Sequence, residues 1–79
     1  MDAKLFIERI ADIIEAEPER LTLESDFRGE ADFWSSLVGF ALLTFLEEEC
    51  GVDMTVEDFI ESATIGDLFA QTQNRGNTR

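Results

Sequence analysis

The chain has 79 residues, enough for one small domain with a modest core. It carries 18 acidic and 6 basic residues and no histidine, for a formal charge of -12. Arg75 and Arg79 lie beyond Gln73, where no acid stands, so the first 73 residues hold all 18 acids and only 4 bases, a formal -14. Such a surface repels nucleic acid, which is bound through positive charge. It favours encounter with basic protein surfaces. The one cysteine, Cys50, excludes an internal disulfide and fits a reducing cytoplasm. No basic segment followed by an apolar one opens the chain, so no secretory signal is expected.

Asp2 is placed to cap a first helix. Phe6, Ile10, Ile13 and Ile14 then recur at helical spacing, with Glu8, Arg9, Asp12 and Glu15 on the other side. Pro18 predicts an end near Ala16 or Glu17, because the residue before proline is driven from the α region.

Between Pro18 and Ser35 the period is lost. Leu21, Leu23, Phe27, Phe33 and Trp34 are apolar anchors, and Gly29 interrupts the stretch. The reading is a long ordered loop with room for short helical turns, pinned by Leu21, Leu23 and Phe27.

A second helix is predicted from Ser36, with Ser35 as its N-cap. From Leu37 to Leu46 only Gly39 and Thr44 fall outside the hydrophobic class, and Glu47, Glu48 and Glu49 follow. This run is too short for a bilayer, which needs roughly 20 residues. A helix apolar on every side should be buried on every side. A chain this small has few elements with which to surround it, so part of its surface is expected to face a ligand cavity or a partner. Phe40, Leu43, Phe45 and Leu46 are the side chains whose packing would set such a cavity. Gly51 is placed to end the helix in a left-handed cap.

Thr55, with Asp58 three residues on, predicts a short third helix to about Ser62 that buries Phe59 and Ile60. Thr64 and Asp67 repeat the device and open a last helix through Gln71, with Ile65, Leu68 and Phe69 on its apolar face. Residues 1–72 read as a single domain, and the polar tail 73–79 is expected to be disordered.

The usual catalytic sets are missing from this pattern. Ser35 and Ser36 have no histidine, and Lys4 is the one lysine, so a nucleophile lacks its base. Placing Gly29 at the sixth position of a calcium loop sets Glu24, Asp26 and Arg28 at the first, third and fifth, and Ser35 at the twelfth, where a glutamate is required. No dedicated metal site is read. Cys50 closes a helix beside three glutamates, a setting that disfavours a reactive thiolate.

Trp34-Ser35-Ser36-Leu37 resembles the Asp-Ser-Leu signature of the acyl carrier protein family, often Trp-Asp-Ser-Leu in specialised members. The Leu46-Glu47-Glu48-Glu49 run stands where the family has Leu-Glu-Glu-Glu, ten residues past the modified serine. Thr64-Ile65-Gly66-Asp67-Leu68 is similar to the Thr-Val-x-Asp-Leu that opens the family's last helix. The resemblance covers about residues 4–71.

It implies an all-α, four-helix acyl-carrier bundle, with three longer helices, a short third helix and a long loop between the first two. It also implies a non-enzymatic function. Ser36 would accept 4′-phosphopantetheine from coenzyme A, and the arm would carry acyl thioesters for fatty acid, polyketide or related synthesis. The implied partners are a phosphopantetheinyl transferase and acyl-loading and acyl-processing enzymes, met by a monomer in the cytoplasm.

Two departures stand out. Ser35 replaces the aspartate before the modified serine, a mild change because both residues cap helices well. Val38 and Ala41 stand where the family often has acids, so the partner face is read as Leu37, Val38 and Ala41, with Glu47 and Glu48 as a charged rim. The competing placement packs Val38 and Ala41 under the long loop. Rival functions are an unmodified acidic interaction module and a stand-alone aminoacyl or peptidyl carrier.

Overall fold

Asp2 accepts a hydrogen bond from the Leu5 amide at 2.9 Å and starts α1, Ala3–Ile14. The computed structural model describes residues 1–74. Phe6, Ile10, Ala11 and Ile14 form the buried stripe of α1. The helix ends earlier than Pro18 predicts. Glu15 turns left-handed (φ 60°), and the Glu15 and Ala16 amides both donate to the Ala11 carbonyl. Pro18 instead opens a separate 3-10 turn, Pro18–Arg20, where its fixed φ and missing N–H suit a first position.

The expected loop also contains α2, Phe27–Glu30, capped by the Asp26 carboxylate. Leu21 and Phe27 are buried and Leu23 is half-buried, as the pinning required. Phe33 is not an anchor; it is 73% exposed. Trp34 takes the inward place beside it.

Helix α3 spans Ser36–Glu48 and α4 spans Val56–Glu61, with Gly51 between them at φ 70°. Helix α5 spans Ile65–Asn74, three residues beyond the expected end at Gln71 and into the stretch expected as tail. Residues 75–79, the rest of that tail, lie outside the described residues. The helical architecture agrees with the carrier bundle, and α4 is the short third helix of the expectation.

Two aromatic groups hold these elements together. Phe6 of α1 meets Phe45 of α3 at 5.8 Å and Phe69 of α5 at 5.2 Å between ring centroids. Phe27 of α2 meets Trp34 at 5.9 Å and Phe59 of α4 at 5.6 Å. Each such pair contributes about 0.5–1.5 kcal/mol beyond its area. Outside the core, Arg9 grips Glu49 through two nitrogens at 2.6 and 2.8 Å, fastening α1 to the end of α3.

Loop and helix ends satisfy one another. The Ile65 and Gly66 amides of α5 donate to the Ser25 and Leu23 carbonyls at 2.9 and 2.6 Å. The Asp32 amide donates to the Ile14 carbonyl left over at the end of α1. The long connection is thereby part of the fold.

Candidate functional site at the start of helix α3

Ser35 has extended backbone and ends the irregular segment, and its Oγ accepts from the Val38 amide at 3.3 Å. The Gly39 amide is the first to reach a helical acceptor, the Ser35 carbonyl at 3.0 Å. The amides of Ser36 and Leu37 meet no acceptor among the described residues. Ser36 is therefore the first residue of α3, exposed, at the positive end of the helix dipole.

A groove of about 370 Å3 opens beside it. Gly39, Phe40 and Leu43 of α3 form one side; Val56, Phe59 and Ile60 of α4 form the other. Trp34 and Arg28 also line it. Phe40, Val56 and Ile60 are 69%, 61% and 65% exposed, a large apolar surface for so acidic a chain. Ile60, expected inside, is turned to this groove because α4 buries only Phe59. Phe45 and Leu46, expected around a cavity with Phe40 and Leu43, are core residues instead. At 100° per residue they fall on the opposite side of α3 from Phe40.

Arg28 was not legible as a site residue. Its guanidinium donates to the Ser62 carbonyl at 2.6 Å and the Phe59 carbonyl at 2.9 Å, with a longer bond to Ile60 at 3.3 Å. It also lies over the rings of Phe27, Trp34 and Phe59, at 4.6, 5.6 and 5.4 Å from their centroids. The one cation in this part of the chain thus anchors the end of α4. Among the described residues, no three His, Cys, Asp or Glu side chains gather into a metal site.

The other named residues divide by helix face. Leu37, Ala41 and Glu48 are exposed along one stripe, at i, i+4 and i+11, with Glu47 at its edge. Leu37 is 80% exposed. Val38, a third of a turn away, is half-buried and packs on the core. Val38 is thus drawn toward the core, while Ala41 stays outside.

The model of a family described as the phosphopantetheine attachment site matches residues 4–71 of this chain. The chain belongs to that family. No curated protein matches it closely enough to report. Phosphopantetheine attachment domains receive 4′-phosphopantetheine covalently and act as carriers rather than catalysts, meeting a phosphopantetheinyl transferase and biosynthetic enzymes. This agrees with the acyl carrier resemblance. The residues of this attachment domain fit such a group: an exposed serine hydroxyl, two amides without acceptors for an anion, and an apolar groove alongside. No helix among the described residues is long and apolar enough to cross a membrane.

Proposed function

We propose that Ser36 is the attachment serine, and that the protein carries acyl groups as thioesters to partner enzymes of fatty acid, polyketide or related specialised synthesis. The supporting observation is the position of Ser36, exposed at the first turn of α3 and at the mouth of the apolar groove. Attachment makes a phosphodiester at Ser36 Oγ, which gives up its proton while the nucleotide half of coenzyme A leaves. The Ser36 and Leu37 amides and the helix dipole would favour the phosphate's negative charge there. When bound, the arm supplies a thiol that forms thioesters. Phe40, Leu43, Val56 and Ile60 offer an apolar bed for what it carries.

The stripe of Leu37 and Ala41, with Glu47 and Glu48 beyond, is the surface for partners with apolar and basic rims, and Val38 borders it from the core side. The protein works as a monomer in the cytoplasm, where Cys50 stays reduced. An unmodified interaction module is the second reading, favoured by the exposure of Leu37 and Phe40.

One experiment separates them: intact mass after incubation with coenzyme A and a permissive phosphopantetheinyl transferase. Wild type and Ser35→Ala should gain one phosphopantetheine, and Ser36→Ala none. No gain by wild type with an active transferase rejects the carrier reading and leaves the docking module. A gain by Ser36→Ala that Ser35→Ala loses moves the attachment to Ser35.

A further inference from the structure

We propose that Trp34, seated on Gly39, closes the interior of the bundle to cargo, so that the chain carries short acyl groups in the open groove and gives long chains no shelter. The inference rests on Ser36 being the attachment serine.

Glycine inside a helix is unfavourable and needs a reason. At Gly39 the reason is the indole. A Cβ there would stand 3.3 Å from Cζ2 and 3.6 Å from Cη2 of Trp34, and 3.6 Å from Cε2 of Phe59. The missing side chain lets the ring lie on the backbone of α3, where it also lines the groove.

The indole is held from several sides. Phe27 meets the indole edge-on at 5.9 Å, and Phe59 lies 20° from parallel at 6.5 Å. The Arg28 guanidinium sits 5.6 Å over the indole while bonded to carbonyls of Phe59, Ile60 and Ser62. Moving Trp34 would disturb its contacts with all of these groups. Deeper in the bundle, Phe27, Leu42 and Leu46 are fully buried and Phe59 nearly so. Close-packed side chains leave an alkyl chain no room to thread inward.

The groove lies along α3 from Ser36 to Leu43, about 10 Å at the helical rise of 1.5 Å per residue. It is open on its outer side. Apolar stabilisation follows the area removed from water. Methylenes beyond the groove stay wet and add nothing, so the gain stops rising once the groove is filled. The thioester remains within reach of a partner without extraction from a core.

The test uses the full chain loaded by a transferase from butanoyl- or dodecanoyl-coenzyme A, with loading checked by intact mass. Hydroxylamine cleavage of each thioester is then followed by intact mass. Wild type should release both acyl groups at equal rates. In Trp34→Ala the dodecanoyl thioester should be cleaved about fivefold more slowly, a sheltered state populated roughly four-fifths of the time. Fivefold protection of the dodecanoyl form in wild type overturns the proposal, even if Trp34→Ala fails to fold. Equal rates in a folded Trp34→Ala also overturn it. Absence of any mass gain removes the attachment reading beneath it, a separate and visible failure.

Discussion

The Arg28 guanidinium donates to the Ser62 carbonyl at 2.6 Å, joining residues 34 positions apart in the chain. It meets the carbonyl end of α4, the negative end of that helix, and satisfies groups the helix cannot satisfy itself. Helix α4 has only six residues, too few to persist alone, so its position depends on such contacts. Replacing Arg28 by alanine should cost about 2 kcal/mol, a fall in Tm of about 8–16 °C for a domain of this size. Lysine should recover little, because it keeps the charge but loses the planar fork. Thermal unfolding by circular dichroism checks both, and a full rescue by lysine would show that charge alone matters.

Gly66 serves a close approach. A Cβ there would stand 2.8 Å from the Leu23 carbonyl oxygen, which already accepts from the Gly66 amide. Alanine favours a helix over glycine by about 1 kcal/mol, so propensity alone predicts that Gly66→Ala stabilises. Crowding against backbone should win, with a net loss of about 1–3 kcal/mol in urea unfolding.

Asp67 should make stability fall at acid pH. The Ala63 and Thr64 amides donate to its Oδ2 at 2.8 and 3.1 Å and hold its carboxyl below the ordinary value, the Ala63 bond contributing most. A lowered folded-state pKa means the contribution is complete above the ordinary value of 3.8 and is lost as pH falls through the folded value. Asp67→Asn should therefore be less stable than wild type at neutral pH, and the gap should narrow below about pH 4. Denaturant midpoints across that range measure it; a constant gap would mean the amides do not favour the charged form.

Glu47 and Glu48 face outward with no basic partner among the described residues, whereas Glu49 is engaged by Arg9. Reversing both to lysine should raise KM for a phosphopantetheinyl transferase about tenfold at low ionic strength, with kcat unchanged. The difference should shrink near 0.15 M salt, where the Debye length is about 8 Å. Equal KM values at low salt would place the docking surface elsewhere.

The sequence by itself determined the starts of four helices. Asp2, Ser35, Thr55 and Thr64 cap as expected because each bonds an amide three residues ahead, a contact fixed by local chain geometry. Gly51 takes the left-handed turn for an equally local reason. The apolar excess of α3 also announced that some of its surface would remain outside, and Leu37 and Phe40 are that surface.

Only the tertiary structure decided what surrounds Ser36. Phe27 and Phe33 look alike along the chain, but one is fully buried and the other exposed. Val38 turned to the core and Ile60 to the groove, outcomes set by which neighbours each helix meets. Arg28 read as a failed calcium ligand, and Gly39 as a gap in an apolar run. Their roles depend on the carbonyls of α4 and the indole of Trp34. A cap closes over a single turn, whereas a groove wall forms only when distant segments pack together.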